Sequence, residues 1–584
     1  MLDPAGNSSP FDSFDTGFLS PSAQLCRIGK GSIGGKAQGL ADIRHILQEK
    51  LDPAAYPGIT VDIPPLVIVC TEVFEAFMAQ NGLYEIAYSD LPDDRIAHAF
   101  QKADLPFDVL GDLRKLINQV HTPLAVRSSS LLEDSKFMPF AGVYATKMIP
   151  NKEFDPDSRF RQLVEAIKFV YASTYLKLAK DYCRSVGKRV EDEKMAVIIQ
   201  KMVGERYHDR FYPELSGVAR SYNFYPMGPA RPEDGVVNLA LGLGKVIVDG
   251  GISWPYSPAY PKVEPPFGSV KELLKGTQTK FWAVNMGRPM EYDPIRETEY
   301  LLEEHLVAAE KDGTLRYLAS TYNPQSGRLT PGTGAPGPRA LTFAPLLVLK
   351  ELPYNELISD LLRICEQAFG ASIEIEFAMT FNPCELGFLQ VRSMAVPEDE
   401  VENMDADIND EEVFLQSDTA FGNGIVEDIQ DIVFIKPADF ELRHTRAVVP
   451  ELEQINHSLL EAKRPYLLVV FGRLGTADPW LGIPVRFGQI SGAKVIIEAT
   501  KDNIKVELSQ GSHFFHNIIN LNIKYFTIPY SSPHQIDWEW LDQQEMVEEG
   551  RFVRHVRLAE PLRVIVNGKT SQGVIYKTCA VPQD

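Results

Sequence analysis

Paired cysteines, histidines at metal-ligand spacing, long apolar runs and an excess of positive charge are all missing from this sequence, and each absence argues against a class of protein. Six cysteines (Cys26, Cys70, Cys183, Cys365, Cys384 and Cys579) are scattered over 584 residues with no C-x-x-C spacing. That speaks against a disulfide framework and leaves them as reduced, mostly structural residues. The eleven histidines form no H-x-x-x-H pair, so a dedicated zinc site is not expected, and any metal would arrive with a nucleotide and be held by carboxylates. The longest apolar runs, Pro64 to Cys70 and Tyr466 to Phe471, fall well short of the ~20 residues a membrane helix needs. The opening MLDPAGNSSPFDSFD has neither a basic start nor an apolar core, so no secretory signal is expected and a cytoplasmic protein is the default. Acidic residues outnumber basic ones by 79 to 58, for a net charge of −21. Long-range electrostatics therefore disfavour a phosphate-backbone partner, and nucleic-acid binding is not expected.

What is present describes an ordinary soluble globular chain, 44% hydrophobic and 23% charged, long enough for roughly three to four domains. Residues 1–22, rich in Ser, Asp, Pro and Phe, are predicted to be a loosely ordered lead-in. Beyond Cys26, GKGSIGGKAQGLADIRHILQ sets glycines ahead of a helix whose apolar face is Leu40, Ile43, Ile46 and Leu47. PPLVIVC, KMAVIIQKMV (194–203) and IEIEFAMT (373–380) read as strands. RQLVEAIKFVYASTYLKLA reads as one helix with Leu163, Val164, Ile167, Val170, Tyr171 and Leu178 on one side. The stretch 397–412, PEDEVENMDADINDEE, is dense in acid with no apolar period and is read as an interdomain linker. After it, DIVFI, YLLVVFG, KVIIEA and YFTIPY alternate with a helical stretch near 450–462, and RVIVNGKTSQGVIY places Asn567-Gly568 in a terminal hairpin. The fold class is α/β (α+β).

Four short patterns carry chemistry. TPLAVRSSSLLED (122–134) runs a strand into Arg127 and three serines, delivering a charged group from a rigid strand end. GGKAQGL puts Lys36 within reach of a phosphate while its glycines let the backbone approach closely; taken alone it could equally be a turn with a surface lysine. LALGLGKVIVDGG (239–251) is a second glycine loop, with Gly242 and Gly244 between apolar segments. Glu374 and Glu376 alternate with Ile373, Ile375 and Phe377, so both carboxylates share one strand face. Like charges there cost stability unless a cation lies between them, either Mg²⁺ beneath a polyphosphate or a compensating Lys or Arg. FLQVR sets Gln390 and Arg392 on one face of what would be the neighbouring strand, so four polar groups converge.

Taken in order, Gly-Gly-Lys, Arg-Ser-Ser, Q-K-M-V then S-G-V-A, G-L-G, and E-x-E followed by Q-x-R resemble the nucleotide-binding domain of phosphoenolpyruvate synthase and pyruvate phosphate dikinase, over roughly Cys26 to Met394. The resemblance implies a two-lobed ATP-grasp domain over 23–396, with lobes near 23–190 and 191–396, using ATP and Mg²⁺. It places Lys36 and Arg127 on the ATP phosphates and Ala141-Gly142 in a small-residue loop over the triphosphate. Gln200, Gly242, Gly244, Glu374, Gln390 and Arg392 would complete the nucleotide site, with Glu374 and Glu376 serving Mg²⁺. Lys245 stands where the family usually carries Glu, which puts one ligand to nucleotide or metal in question.

Residues 413–584 would then be a smaller α/β domain resembling the family's swivelling domain, whose histidine takes phosphate from ATP and carries it to an acceptor. Gly511-Ser512-His513 matches the histidine motif, although Phe514 and Phe515 replace the family's alanines. An imidazole at a glycine turn before a helix is a suitable nucleophile, neutral at pH 7 with one free nitrogen; the alternative is that His513 or His516 merely caps or packs the helix. FGRLGTADPWLGIPVRFGQISG gathers Arg473, Asp478, Trp480 and Arg486, either as an acceptor or docking surface or as an Asp-Pro turn with a half-buried Trp. The expected activity is ATP-dependent phosphotransfer of the dikinase type, with His513, Arg127 and Lys36 catalytic and AMP released. The 584 residues leave no room for the family's C-terminal barrel, so the acceptor would be a small molecule or lie on another chain, and a homo-oligomer is possible. The competing expectation is a nucleotide sensor or scaffold that binds ATP without transferring phosphate.

Overall fold

The computed structural model describes residues 12–14, 25–131, 133, 142–224, 226–265, 267, 269–288, 291–394, 396, 412–476, 481–501, 513–521, 523–568 and 570–577. Ala141, Asp478, Trp480, Gly511, Ser512 and the acidic stretch up to residue 411 lie outside them, as do the side chains of His513 and His516. Among the described residues the protein is a mixed α/β structure built on two six-stranded sheets and one larger C-terminal sheet, and no helix is long and apolar enough to cross a membrane.

The first sheet runs in the order Asp12–Ser13, Leu25–Ile28, Leu66–Val69, Met195–Lys201, Leu124–Ser130, Thr146–Ile149. Its central strands are continuous apolar runs because both faces are covered. Leu66, Ile68, Ala196 and Ile198 pack with Ala37, Leu40 and Ile43 of the Gly35–Lys50 helix. Val67, Val69, Val197 and Ile199 share a second cluster with Leu163, Ile167 and Val170 of the Pro156–Ser173 helix. The single helix expected over 161–179 is two: the first ends at Ser173, and Lys177–Ser185 starts afresh. Asp93, 84 positions away, accepts the Lys177 N–H at 2.8 Å, satisfying an orphan donor of the new helix. Apolar period alone cannot show such a break.

The second sheet runs Trp254–Tyr256, Val236–Ala240, Leu215–Arg220, Ile373–Phe381, Cys384–Ser393, Thr60–Asp62. Its register sets Glu374 between Arg220 and Arg392, and Glu376 between Val218 and Gln390. The C-terminal sheet contains four parallel neighbours, Gly424–Ile435, Tyr466–Phe471, Ala493–Ala499 and Lys524–Ile528. The Thr445–Glu461 helix lies between the first two in sequence and the His513–Asn520 helix between the last two. The hairpin expected at Asn567-Gly568 is present, with Asn567 opposite Gln572.

Aromatic contacts seat the C-terminal region on the rest. Phe224 meets Phe421 with ring centroids 4.6 Å apart and Phe515 at 6.1 Å, while Tyr182 meets Phe487 at 5.7 Å. Edge-to-face pairs of this kind contribute about 0.5–1.5 kcal/mol each beyond their burial. Thr476 Oγ1 also donates to the Gly250 carbonyl at 3.1 Å.

Candidate functional site

The three serines after Arg127 each have a structural task. Ser129 Oγ donates to the Ile33 carbonyl at 2.8 Å and accepts from the Ala37 N–H at 3.2 Å, fastening the glycine loop to the strand. Gly34 sits at φ 77, where a Cβ would run into the Ser129 carbonyl; only glycine allows this approach. Ser128 Oγ accepts from Lys36 Nζ at 3.3 Å and donates to Glu133 at 2.9 Å, and Lys36 Nζ pairs with the same carboxylate at 2.8 Å. Ser130 closes the turn, its N–H donating to Glu133 Oε2 at 2.9 Å and its Oγ accepting the Glu133 N–H at 3.1 Å. Lys36 is thereby held at the strand end, its ammonium positioned by one acid and one hydroxyl.

Arg127 bridges the two sheets. Its Nη2 donates to Gln390 Oε1 at 2.8 Å, its Nη1 donates to the Leu389 carbonyl at 3.0 Å and to Gln200 Oε1 at 3.4 Å, and Glu376 stands 3.6 Å away. Glu374, two residues from Glu376, has a different fate. Only 1% exposed, it accepts from Arg220 Nε at 2.5 Å and from Arg392 Nε at 2.7 Å and is bonded to Arg392 Nη2 as well. Burial alone would raise its pKa, but Arg220 and Arg392 hold its carboxyl below the usual range.

A cavity of about 850 Å³ opens between these elements. Lys36, Arg127, Gln200, Glu376 and Gln390 form one wall, and Gly142 and Gly244 lie on it too. Gly242, Glu374 and Arg392 do not line it: Gly242 turns the chain at φ 81 against the Trp282 carbonyl, and the other two form the ion cluster behind. One end is apolar, with Ala125, Met202 and Leu243 in a common cluster against Met148 and Leu301. The facing wall comes from the C-terminal region: Thr476, Arg486, Phe487, Phe514 and Asn517. Phe514 and Asn517 belong to the helix that begins at His513.

Behind the first wall Glu193 accepts from the Leu131 N–H at 3.2 Å and from Tyr144 Oη at 3.0 Å. Burial pushes this carboxyl up to about 7, against the pull of its Tyr144 hydrogen bond. Among the described residues no group of three or more His, Cys, Asp or Glu could cage a metal. Mg²⁺ needs fewer protein ligands when it travels with phosphates, and Glu376 is the acid of the expected pair that faces the cavity.

Several cavity residues carry no sequence signal. Arg296 and Glu297 sit in the irregular stretch DPIRETEY, whereas Ser216 opens the S-G-V-A motif and lies in a buried strand. Arg486 was visible as one of a charged group, and Arg473 from that group is buried rather than facing solvent.

A family model described as pyruvate phosphate dikinase, AMP/ATP-binding domain, matches residues 30–412. Phosphoenolpyruvate synthase of Aeropyrum pernix is 28% identical over 243 residues, 38% of this chain and 26% of that protein. An uncharacterized phosphotransferase, YvkC, of Bacillus subtilis is 24% identical over 193 residues, 33% of this chain and 20% of its own length. The matched stretches thus span about a quarter or less of these curated relatives.

Proposed function

Because the chain belongs to the pyruvate phosphate dikinase AMP/ATP-binding family, we propose that it is an ATP-dependent phosphotransferase that passes phosphate from ATP through His513 to an acceptor, with release of AMP. One observation carries the reading: the wall bearing Lys36 and Arg127 and the helix that begins at His513 line the same cavity. In this reading the first two sheets are the lobes of an ATP-grasp domain over 23–396, and 413–584 is a swivelling domain caught docked. The apolar end around Met202 and Leu243 takes the adenine base, and the phosphates lie toward Lys36 and Arg127.

Both cations are already oriented before substrate arrives, by Glu133 and Ser128 in one case and by Gln390 and the Leu389 carbonyl in the other. Preorganised donors stabilise charge on a transferring phosphoryl group without reorganising during the step. Glu376 would hold Mg²⁺, which would supply neutralising charge to the phosphates. Glu374, sealed by two arginines, acts by fixing Arg392 and the strand pair. A neutral imidazole at His513 would attack the β-phosphorus as the bond to the oxygen bridging the α- and β-phosphates breaks, so that the histidine takes the pyrophosphoryl group and AMP leaves. Acid-labile labelling from radiolabelled ATP tests this: His513→Ala is expected to abolish it and leave nucleotide affinity intact, and unchanged labelling would sink the histidine route.

A second reading, an ATP-binding sensor or scaffold without transfer, draws support from Lys245. This residue faces the cavity with its ammonium 2.7 Å from Asp249, where the family usually carries an acid. AMP formation with and without candidate acceptors separates the two.

A further inference from the structure

One buried cation outside the cavity wall has fewer partners than its charge calls for. Arg220, the last residue of the Leu215–Arg220 strand, is 1% exposed. Its Nε donates to Glu374 at 2.5 Å, while its Nη1 and Nη2 have no hydrogen-bond partner among the described residues. Arg392 shares the same carboxylate, and the next acid on that strand, Glu376, stands by Arg127 instead. Two guanidinium groups therefore divide one carboxylate. Burial pulls the Arg220 pKa below its usual value; Glu374 opposes that pull and Arg392 adds to it.

The C-terminal region lies against this guanidinium. Its Cζ stands 5.7 Å from the centroid of the Phe515 ring, in the His513–Asn520 helix. The same ring packs against Phe421 at 5.4 Å and Phe224 at 6.1 Å. Among the described residues no strand of the C-terminal sheet pairs with either six-stranded sheet, so the seam between the two regions has no backbone ladder to lock it. Its aromatic pairs favour closure. Arg220 opposes it, because its terminal nitrogens exchange hydrating water for the face of one ring. A cation–π contact returns part of that loss, but a single ring cannot meet four N–H groups, and a buried charged donor left without hydrogen bonds is costly.

We propose that Arg220 is a positioning residue of this seam that weakens docking of the C-terminal region, so that the aromatic contacts close the seam without locking it. Closing strips the guanidinium of water and opening returns it. Attraction and penalty thus meet on one ring, Phe515, and their difference sets how often the region leaves. An apolar side chain at 220 would leave Glu374 paired with Arg392 alone and close the same seam more tightly. Only the purpose of such release rests on the phosphotransfer reading, in which the helix that begins at His513 would carry phosphate away from the nucleotide.

Thiol labelling of the full chain carrying Thr476→Cys tests the proposal without any nucleotide. Thr476 is 1% exposed and its hydroxyl meets Gly250 across the seam, so a thiol there reacts when the seam opens; peptide mass spectrometry separates it from the six native cysteines. Arg220→Met, which keeps the length and removes the charge, is expected to slow labelling by about fivefold or more. Labelling that is unchanged or faster overturns the proposal, because removing an arginine that merely braces the strands would loosen the seam. Phe515→Leu keeps an apolar cover but removes the ring face, and is expected to speed labelling by about fivefold or more. Should Arg220→Met not fold, Phe515→Leu decides alone, and a rate within about twofold of the phenylalanine form overturns the proposal. A chain that shows both labelling changes yet binds no AMP would instead remove the nucleotide reading and leave the role of Arg220 standing.

Discussion

The two walls of the cavity differ in how they hold their charges. On the first, Lys36 and Arg127 each have a partner: Lys36 has Glu133, and Arg127 has Gln390 and Glu376. On the second, Arg486 has a fixed backbone and a side chain without a counter-ion among the described residues. A wall whose charges are already paired is rigid and costs no reorganisation when phosphates arrive. Arg486 is held by its backbone alone, so its side chain is less fixed than those of Lys36 and Arg127.

The sharpest way to break this contrast is to remove one cation from each side. Arg127→Ala is expected to lower the rate of ATP-dependent transfer by about 10³-fold or more, with the thermal transition little changed, as read by AMP release and melting curves. Arg486→Ala should cost no more than about tenfold in the same assay; equal losses would erase the distinction. Next in size is the ion cluster behind the first wall. Glu374→Gln removes the buried carboxylate that Arg220 and Arg392 share, and Arg220 already has two terminal nitrogens without hydrogen-bond partners. A loss of about 3–5 kcal/mol in chemical denaturation is expected. Asp431 of the C-terminal sheet is clamped in the same manner by His555, Arg464 and Arg557. Its arginines are 33% and 38% exposed and can turn to water, so Asp431→Asn should cost less, about 1–3 kcal/mol.

The first wall was largely legible before any coordinates. Strand alternation put Glu374 and Glu376 on one face and Gln390 and Arg392 on the neighbour's, and the observed register pairs them directly. Spacing could not tell the two acids apart. What separates them is Arg220, delivered opposite Glu374 by a strand about 150 residues earlier, and such a pairing leaves no local trace. The second wall was scarcely legible at all. Its residues come from around 476–488 and from the 513–520 helix, and meet the rest of the molecule through long-range contacts such as Tyr182 with Phe487 and Thr476 with Gly250. The split of the expected 161–179 helix has the same origin, an oxygen from Asp93 at the start of a distant helix.

Each wall also has a buried carboxyl behind it, and their pH behaviour sharpens the comparison. Glu193 stands behind the first; Glu498, behind the second, accepts from the Leu474 N–H at 2.5 Å. Burial pushes both from an ordinary 4.5 up to about 7, partly offset by hydrogen bonds from Tyr144 and Tyr525 respectively. An acid with a raised folded pKa binds its proton in the native state after the unfolded chain has lost it. Stability therefore falls as pH rises from 4.5 to about 7 and levels off above. Glu193→Gln and Glu498→Gln should each remove up to about 2–3 kcal/mol of that slope. If both walls lean on their acids, the two variants flatten the denaturation profile alike; a slope that persists in both would refute the assignment.

The smallest effect is expected at the seam itself. Lys177 and Glu453 join the two regions at 2.5 Å, but the lysine is 53% exposed and the acid 24%, and exposed pairs contribute about 0–1 kcal/mol. The seam is held instead by Phe224 against Phe421 and Phe515 and by Tyr182 against Phe487, contacts that added salt does not weaken. Lys177→Ala should therefore change stability by less than about 1 kcal/mol. Glu453→Ala should do little more to stability, although it also removes the acceptor of Gln489. A double-mutant cycle on the pair separates these contributions. A coupling well above 1 kcal/mol, or a seam that opens as ionic strength rises, would mean that charge rather than aromatic packing docks the second wall. The contrast between a rigid wall and a recruited one would then have to be drawn at the ion pair instead of at Arg486.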